Sequence, residues 1–207
     1  MGDYKTQQEN FWAGEFGNEY IERNQSDEYL ASNLNFFTNA LQKADKLNTV
    51  IEFGANVGMN LKAIKLLFPH IDLNAIEINT KAVEMLSMLV DKKNIYTGSI
   101  LEYPVPKQFD LVLIKGVLIH INPNELPGVY EKLYHASNKY ILVAEYYNPS
   151  PVTITYRGHQ DRLFKRDFAG ELLDCYPDLK LIDYGFAYRR DVKFPQDDIT
   201  WFLVEKC

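Results

Sequence analysis

One stretch decides the fold of this chain: Val50-Ile51-Glu52-Phe53-Gly54-Ala55-Asn56-Val57-Gly58-Met59-Asn60. It joins a short apolar, β-rich run to apolar residues at helical spacing that continue to Leu67. Gly54 and Gly58 allow positive φ angles and close approach of a ligand to the backbone. The helix that follows offers free N–H groups to an anion, and open α/β sheets bind ligands at the carboxyl ends of their strands. The turn therefore predicts a cofactor site.

Strand and helix patterns alternate outward from this turn. Helix starts are indicated at Ser26 or Asp27, at Asn122 and at Asp167. Further strands are predicted at 73–78, 95–97, 109–114, 140–144, 180–186 and 200–205. The alternation favours a parallel sheet covered on both faces, and the last two strands, separated by a polar loop, suit an antiparallel hairpin. We predict an α/β three-layer sandwich with a mostly parallel sheet of about seven strands and an antiparallel last hairpin.

Composition limits the classes of protein to consider. The 207 residues suit one compact domain, in which residues 1–45 are expected to form an N-terminal helical lid or cap and residues 46–207 the cofactor-binding domain. The net charge of −6 lacks the basic footprint of long nucleic-acid binding. No apolar run suits a membrane span, and no N-terminal signal is visible. Cys175 and Cys207 suit neither a zinc cluster nor a disulfide. We expect no metal, a cytoplasmic location, and a monomer or homodimer.

The spacing of the glycines distinguishes between cofactors. A dinucleotide site requires G-x-G-x-x-G after the strand, whereas this chain has G-A-N-V-G, a poor fit to NAD. The pattern E-x-G-x-x-x-G-x-N, from Glu52 to Asn60, resembles motif I of class I S-adenosylmethionine-dependent methyltransferases, with Asn56 where that family usually has glycine. The resemblance implies S-adenosylmethionine as the cofactor, S-adenosylhomocysteine as the product, and residues 46–207 as the methyltransferase domain.

The same resemblance implies which residues hold the cofactor. Glu77, at the end of the second strand, is expected to accept both ribose hydroxyls. The residues after the third strand lie beside the adenine in that family, and those after the fourth face the methionine portion. The full predicted cofactor set is Glu52, Gly54, Ala55, Asn56, Gly58, Asn60, Glu77, Ile78, Gly98, Ser99, Ile100, Lys115, Gly116 and Val117.

His120, just past the fourth strand, is the first candidate for catalysis. It is either a general base or a histidine that orders the following loop by hydrogen bonding. Further candidates come from residues 148–166, which lack clear apolar periodicity and suggest a long functional loop. Tyr156 and His159 in this stretch are the other two predicted catalytic residues.

Basic residues in the same stretch predict an anionic small substrate. Arginine binds carboxylates and phosphates through paired hydrogen bonds, and the predicted substrate-binding arginines are Arg157, Arg162 and Arg166. The alternative is a solvated loop whose charges pair with Asp161 and Asp167.

The N-terminal segment supplies the remaining substrate candidates. Trp12, Phe16 and Tyr20 recur at i, i+4 and i+8 and therefore share one helical face. That face either covers the cofactor and the substrate or simply packs on the core. Arg23 either contacts the substrate or ends a helix.

Three segments extend the resemblance over almost the whole chain: FWAGEFG at 11–17, YRGHQDRLFKRDF at 156–168 and DDITWF at 197–202. They resemble methyltransferases found with pseudaminic acid biosynthesis. This resemblance implies a sugar-linked acceptor, such as a nonulosonic acid or a nucleotide-sugar intermediate.

Three other functions compete with this interpretation. A nicotinamide-dependent oxidoreductase requires the G-x-G-x-x-G turn that is missing here. A binding protein without catalysis on the same fold should have lost its cofactor residues, whereas Glu52, Gly54, Gly58 and Glu77 are all present. A methyltransferase for a peptide or RNA is disfavoured by the acidic balance of the chain.

Overall fold

The computed structural model describes residues 4–21 and 26–207, without the side chains of His159 and Gln160. The strands in these residues are β1 (Thr49–Phe53), β2 (Asp72–Glu77), β3 (Ile95–Thr97), β4 (Phe109–Lys115), β5 (Ser137–Glu145), β6 (Val152–Tyr156), β7 (His159–Lys165), β8 (Leu179–Ala187) and β9 (Ile199–Lys206). The main sheet has seven strands in the order β3-β2-β1-β4-β5-β9-β8. Strands β1 to β5 are parallel, and β9 is antiparallel to both β5 and β8. This topology confirms the predicted fold.

Helices cover both faces of the sheet. They are α1 (Gln7–Ala13), α2 (Glu15–Tyr20), α3 (Asp27–Ala40), α4 (Met59–Leu67), α5 (Thr80–Leu86), α6 (Leu126–Ala136) and α7 (Phe168–Cys175). The side chains of Ser26 and Asp167 cap α3 and α7 as predicted, by accepting backbone N–H groups of the first turn. Asn122 caps a 3₁₀ turn, Pro123–Glu125, that precedes α6. Among residues 4–21 and 26–207, no helix is long and apolar enough to cross a bilayer.

Two hydrophobic clusters, one on each face of the sheet, hold the three layers together. Successive residues of β4 alternate between them, with Leu111 and Leu113 in one cluster and Val112 and Ile114 in the other. Helices α3 and α4 cover the first face, and α6 and α7 cover the second. Because both faces are buried, the central strands are almost continuously apolar, which is why they could be recognised in the sequence.

The N-terminal segment divides into two parts. Helix α3 packs against α4 and contributes Phe36, Phe37 and Ala40 to the core. Helices α1 and α2, which we call the N-terminal arm, provide residues of the cleft described below. The division of the chain at residue 45 stays a prediction. Helix α3, which ends before that position, packs in the same hydrophobic core as elements that follow it.

The stretch 148–166 forms a β-hairpin rather than an irregular loop, so that part of the sequence interpretation was wrong. Strands β6 and β7 pair antiparallel, with Tyr156 opposite His159. Between them, Arg157-Gly158 forms a two-residue turn with φ angles of 50° and 84°, the combination that matches the twist of paired strands. Strand β6 escaped notice because its apolar side chains, such as Ile154 at 38% exposed, do not alternate between a buried and an exposed face.

Candidate active site

A cleft lies at the carboxyl edge of the sheet, where β1, β2 and β4 end side by side. The strand register aligns Phe53 with Ile76 and with Ile114, so the residues that follow meet at one place. Most of the predicted cofactor residues line this cleft: Gly54, Ala55, Asn56, Asn60, Glu77, Ile78, Gly98, Ser99, Ile100, Lys115, Gly116 and Val117. The other two, Glu52 and Gly58, bond to residues that line it, Asn60 and Ala55.

The turn after β1 has a backbone that demands glycine at two positions. Gly54 and Gly58 have φ angles of 80° and 84°, and Asn56 between them has a φ angle of 48°. A Cβ atom on Gly54 would lie 2.7 Å from the side chain of Val117, and one on Gly58 would lie 2.7 Å from Leu86. Asparagine tolerates the left-handed conformation, so Asn56 is compatible with this turn.

Glu77 joins the ends of β1 and β2. One carboxylate oxygen accepts the backbone N–H of Asn56 at 2.6 Å, and the other accepts that of Asn79 at 2.7 Å. Burial raises the pKa of Glu77, and the backbone donors at Asn79 and Asn56 oppose this rise. Each oxygen has a further lone pair, so the carboxylate can also accept two hydroxyl groups from a ligand in the cleft.

A second buried polar group lies behind the turn. Asn60 Nδ2 donates to Glu52 Oε1 at 2.6 Å, while Glu52 Oε2 and Asn60 Oδ1 are buried without a hydrogen-bond partner among the described residues. Burial raises the pKa of Glu52 to about 8, whereas Asn60 and the charge of Lys115 act in the opposite direction. Of the two residues only Asn60 lines the cleft, so its Oδ1 atom is suited to a ligand that donates hydrogen bonds, such as an ammonium group.

Glu145, at the end of β5, fixes the turn after β4. Its carboxylate accepts the backbone N–H groups of Val117 and Leu118, both at 2.9 Å, and of Ile119 at 3.4 Å. Burial raises the pKa of Glu145 to about 7, against the effect of these donors. The sequence analysis did not select Glu145, although an acidic residue that ends a buried apolar strand was the available signal.

The N-terminal arm is tied to the cleft by buried side chains that the sequence analysis also missed. The Ser99 hydroxyl donates to the carboxylate of Glu9, which in addition completes a capping box with Thr6. The Gln8 side chain donates to the carbonyl oxygen of Asp161 at 3.0 Å, and its Oε1 atom is buried without a partner among the described residues. Both Gln8 and Glu9 line the cleft. Their helix shows no pattern from which this placement could be deduced.

Aromatic rings from separate parts of the chain meet in the same cleft. The Trp12 ring lies 5.3 Å from Tyr20 and 4.7 Å from His120, and His120 lies 5.0 Å from Tyr156, between ring centroids. Trp12, Tyr20, His120 and Tyr156 line the cleft. Phe16 does not line it but contacts Trp12 at 5.4 Å. The structure therefore brings together most of the predicted lid face and two of the predicted catalytic residues.

His120 has a defined hydrogen-bonding state. Its Nδ1 atom lies 2.5 Å from the carbonyl oxygen of Arg162, and because a carbonyl can only accept, Nδ1 carries the proton. Burial lowers the pKa of His120 to about 4, so the ring is neutral at pH 7 and Nε2 retains its lone pair. The histidine orders the β7 strand and is also a cleft-lining hydrogen-bond acceptor.

The predicted substrate-binding arginines do not line the cleft, and their role in binding a substrate stays a prediction. Arg166 donates to Glu171 on α7 at 2.6 Å. Arg162 donates to Gln7 and to the carbonyl of Asp161. Arg157, in the hairpin turn, lies over the Tyr156 ring at 5.6 Å. Arg166 and Arg162 thus bond to α7, to α1 and within the hairpin, although Arg162 Nε is buried without a partner among the described residues, and Arg157 is exposed. Two other predicted site groups, Arg23 and the side chain of His159, lie outside the described residues.

Comparisons with solved structures identify the fold. The plantazolicin methyltransferase BpumL, in complex with a desmethyl plantazolicin analogue and S-adenosylhomocysteine, is 13% identical, with a TM-score of 0.64 over 96% of this chain and 94% of that one. Magnesium protoporphyrin IX methyltransferase from Synechocystis PCC 6803, with bound S-adenosylmethionine, is 12% identical, with a TM-score of 0.64 over all of both chains. Mitomycin 7-O-methyltransferase is 13% identical, with a TM-score of 0.67 over 98% of this chain and 61% of that one.

These similarities establish that the chain has the class I methyltransferase fold. No protein-family model and no curated protein matches this chain in sequence.

Proposed function

We propose that this protein is an S-adenosylmethionine-dependent methyltransferase that acts on a small-molecule acceptor. The single observation that carries the proposal is the cleft itself, in which Glu77, the glycine turn and the residues after β3 and β4 converge at the carboxyl edge of the sheet. The similar solved structures contain S-adenosylmethionine or S-adenosylhomocysteine in the same fold, which supports the choice of cofactor.

The residues present fit this cofactor in three respects. Glu77 offers lone pairs to a pair of ribose hydroxyls, and the unpartnered Oδ1 atom of Asn60, which lines the cleft, suits an amino-acid ammonium group. Gly116 has a φ angle of 67°, and a Cβ atom there would meet no protein atom within 4 Å. Because Gly116 lines the cleft, that open space is available to a ligand.

Methyl transfer from this cofactor requires few chemical steps from the protein itself. The cofactor supplies a methyl group that its sulfonium already activates, so the chain must align the acceptor and exclude water. Trp12 and Tyr20 of the N-terminal arm cover the part of the cleft where the methyl acceptor would lie, which we call the acceptor side. His120 Nε2 is positioned to accept a hydrogen bond or a proton from the acceptor, and Tyr156 borders the same space.

The acceptor itself is proposed only as a small molecule. The resemblance to methyltransferases found with pseudaminic acid biosynthesis supports a sugar-linked compound. The expectation of an anionic acceptor depended on arginines that do not line the cleft, and the proposal does not retain it.

The test is methyl transfer from S-adenosylmethionine with a trideuterated methyl group. Purified protein is incubated with cell extract separated into small-molecule, protein and RNA fractions, and mass spectrometry locates the label. We expect the label in the small-molecule fraction. Label in protein or RNA would favour a macromolecular acceptor, and cofactor binding with no transfer to any fraction would favour a binding protein without catalysis.

A matched pair of glycine variants controls this experiment. Gly116 and Gly158 both have positive φ angles and open space for a Cβ atom, but only Gly116 lines the cleft. Gly116→Ala and Gly158→Ala therefore impose the same kind of backbone strain. We expect Gly116→Ala to lose transfer and Gly158→Ala to keep it.

A further inference from the structure

Two buried side chains that line the cleft, Gln8 and His120, each offer a hydrogen-bond acceptor to a bound methyl acceptor. Gln8 Oε1 is buried and has no hydrogen-bond partner among the described residues, whereas the amide nitrogen of the same side chain donates to the carbonyl oxygen of Asp161. His120 Nε2 is likewise an acceptor, because Nδ1 donates to the carbonyl of Arg162. These two side chains bond to the carbonyl oxygens of consecutive residues of β7, Asp161 and Arg162, and both line the cleft.

A carboxylate and aromatic rings also line the cleft. Asp197, just before β9, lines the cleft and is exposed, and its carboxylate can only accept hydrogen bonds. The rings of Trp12, Tyr20, Tyr146 and Tyr156, which we call the aromatic wall, line the same cleft. The charge of Asp197 acts on Tyr146 and, together with burial, raises the pKa of that phenol. Aromatic faces attract cations.

Basic side chains contribute little to the lining of the cleft. Lys115 and His120 are the basic residues that line the described part of the cleft. The Lys115 ammonium lies beside Tyr29 and Phe36, at the end of β4. Arg157 and Lys165 lie over rings of the aromatic wall but do not line the cleft. A carboxylate or phosphate on the methyl acceptor would therefore be repelled by the charge of Asp197, and the aromatic wall would offer it only neutral hydroxyl and indole N–H donors.

We propose that the acceptor substrate presents a protonated amine, held between Asp197 and the aromatic wall with its N–H groups directed to Gln8 Oε1 and His120 Nε2. This inference rests on the proposed methyltransferase function and names its substrate class. The ammonium loses one proton to water, and the nitrogen lone pair forms the N–C bond to the methyl carbon. The S–C bond breaks with its electron pair left on sulfur, and the product is an N-methylammonium.

The test compares three probes of similar shape on protein saturated with S-adenosylhomocysteine: benzylamine, benzyl alcohol and benzoate. Ligand-observed NMR titration gives the three dissociation constants. Because a carboxylate and aromatic faces favour a cation, we expect benzylamine to bind about tenfold more tightly than benzoate and more tightly than benzyl alcohol. Benzoate binding as tightly as benzylamine, or benzyl alcohol binding equally well, would overturn the inference.

One pair of variants sharpens the test. Asp197→Asn should reduce the preference for benzylamine over benzoate to about threefold or less, whereas Asp174→Asn, an exposed aspartate on α7, should leave it unchanged. An unchanged preference in Asp197→Asn would contradict the assignment. Each experiment begins with a titration of S-adenosylhomocysteine, which separates the two proposals. No binding of S-adenosylhomocysteine refutes the methyltransferase function itself. Normal binding of it without a preference for the amine refutes only the amine acceptor.

Discussion

The Glu9 carboxylate on α1 accepts a hydrogen bond from the hydroxyl of Ser99, which follows β3 at the edge of the cleft. The other oxygen of Glu9 accepts the backbone N–H of Thr6 at 2.7 Å and its hydroxyl at 2.9 Å. One buried carboxylate thus both caps the first helix and ties the N-terminal arm to the sheet. This pair is one of the contacts that hold the arm over the cleft, beside the hydrogen bond from Gln8 to Asp161.

Glu9→Ala should lower the free energy of unfolding by about 1–3 kcal/mol, because the buried donors on Ser99 and Thr6 lose their partner. Urea denaturation measures the change, and Glu19→Ala, an exposed glutamate on α2, is the control expected to have little effect. In a double-mutant cycle with Ser99→Ala, we expect a coupling of at least about 0.5 kcal/mol. Strictly additive effects would show that the two residues do not interact.

Glu52 should make the stability of the protein depend on pH. Its folded-state pKa of about 8 lies above the ordinary value of 4.5, so between these values the folded protein retains a proton that the unfolded chain has lost. The stability contribution is complete below pH 4.5 and is lost as the pH rises to about 8. Glu52→Gln, which never ionises, should therefore exceed the wild type in stability at pH 8 and lose that advantage at pH 4.5. The same difference at both pH values would contradict the assignment.

His120 can be separated into its two functions by substitution. In His120→Asn the amide can still donate to the carbonyl of Arg162, whereas His120→Gln reaches the Nε2 position and loses that donor. We expect His120→Gln to lower the free energy of unfolding by about 1–2 kcal/mol, with His120→Asn close to the wild type. If Nε2 accepts a hydrogen bond or a proton from the methyl acceptor, the kcat of His120→Asn should fall about a hundredfold. Full activity in that variant would leave His120 with its structural hydrogen bond alone.

Arg166 is expected to stabilise the fold without contributing to the site. Its guanidinium donates to Glu171, which also accepts the hydroxyl of Tyr130 at 2.7 Å. Arg166→Ala should therefore cost about 1–2 kcal/mol of unfolding free energy and leave the affinity for S-adenosylhomocysteine unchanged. The exposed Arg157→Ala is the matched variant that should change neither quantity. Loss of cofactor affinity in Arg166→Ala would return this arginine to the list of site residues.

The turn at Gly54 and the carboxylate at Glu77 could be predicted because they are local. A buried parallel strand is apolar throughout, and the residue after it lies at the ligand edge whatever the rest of the chain does. The antiparallel last hairpin also followed from local evidence, since a loop without a helix cannot join parallel neighbours.

The functions of Gln8, Glu145 and Arg166 could not be predicted, because they depend on contacts across the fold. Gln8 bonds to Asp161 on β7, a strand of the β6–β7 hairpin. Arg166 is the exception, because its partner Glu171 is only five residues along the chain. The β6–β7 hairpin is the part that had to be recognised first. The hairpin was not recognised in the sequence, because its two-residue turn is Arg157-Gly158. Asparagine or aspartate before glycine is the usual signal of such a turn.

The central claim is that the cleft binds S-adenosylmethionine through Glu77. Calorimetric titration of S-adenosylmethionine, S-adenosylhomocysteine and NADH into the wild type, Glu77→Gln and Asp110→Asn tests it most directly. Asp110 is the matched control, because its carboxylate also accepts two backbone N–H groups, those of Asn48 and Thr49, at the opposite edge of the sheet. The account predicts micromolar binding of both sulfur compounds, at least about tenfold weaker in Glu77→Gln, unchanged in Asp110→Asn, with no binding of NADH. Binding of NADH instead, no binding of either sulfur compound, or equal affinity in Glu77→Gln would contradict it.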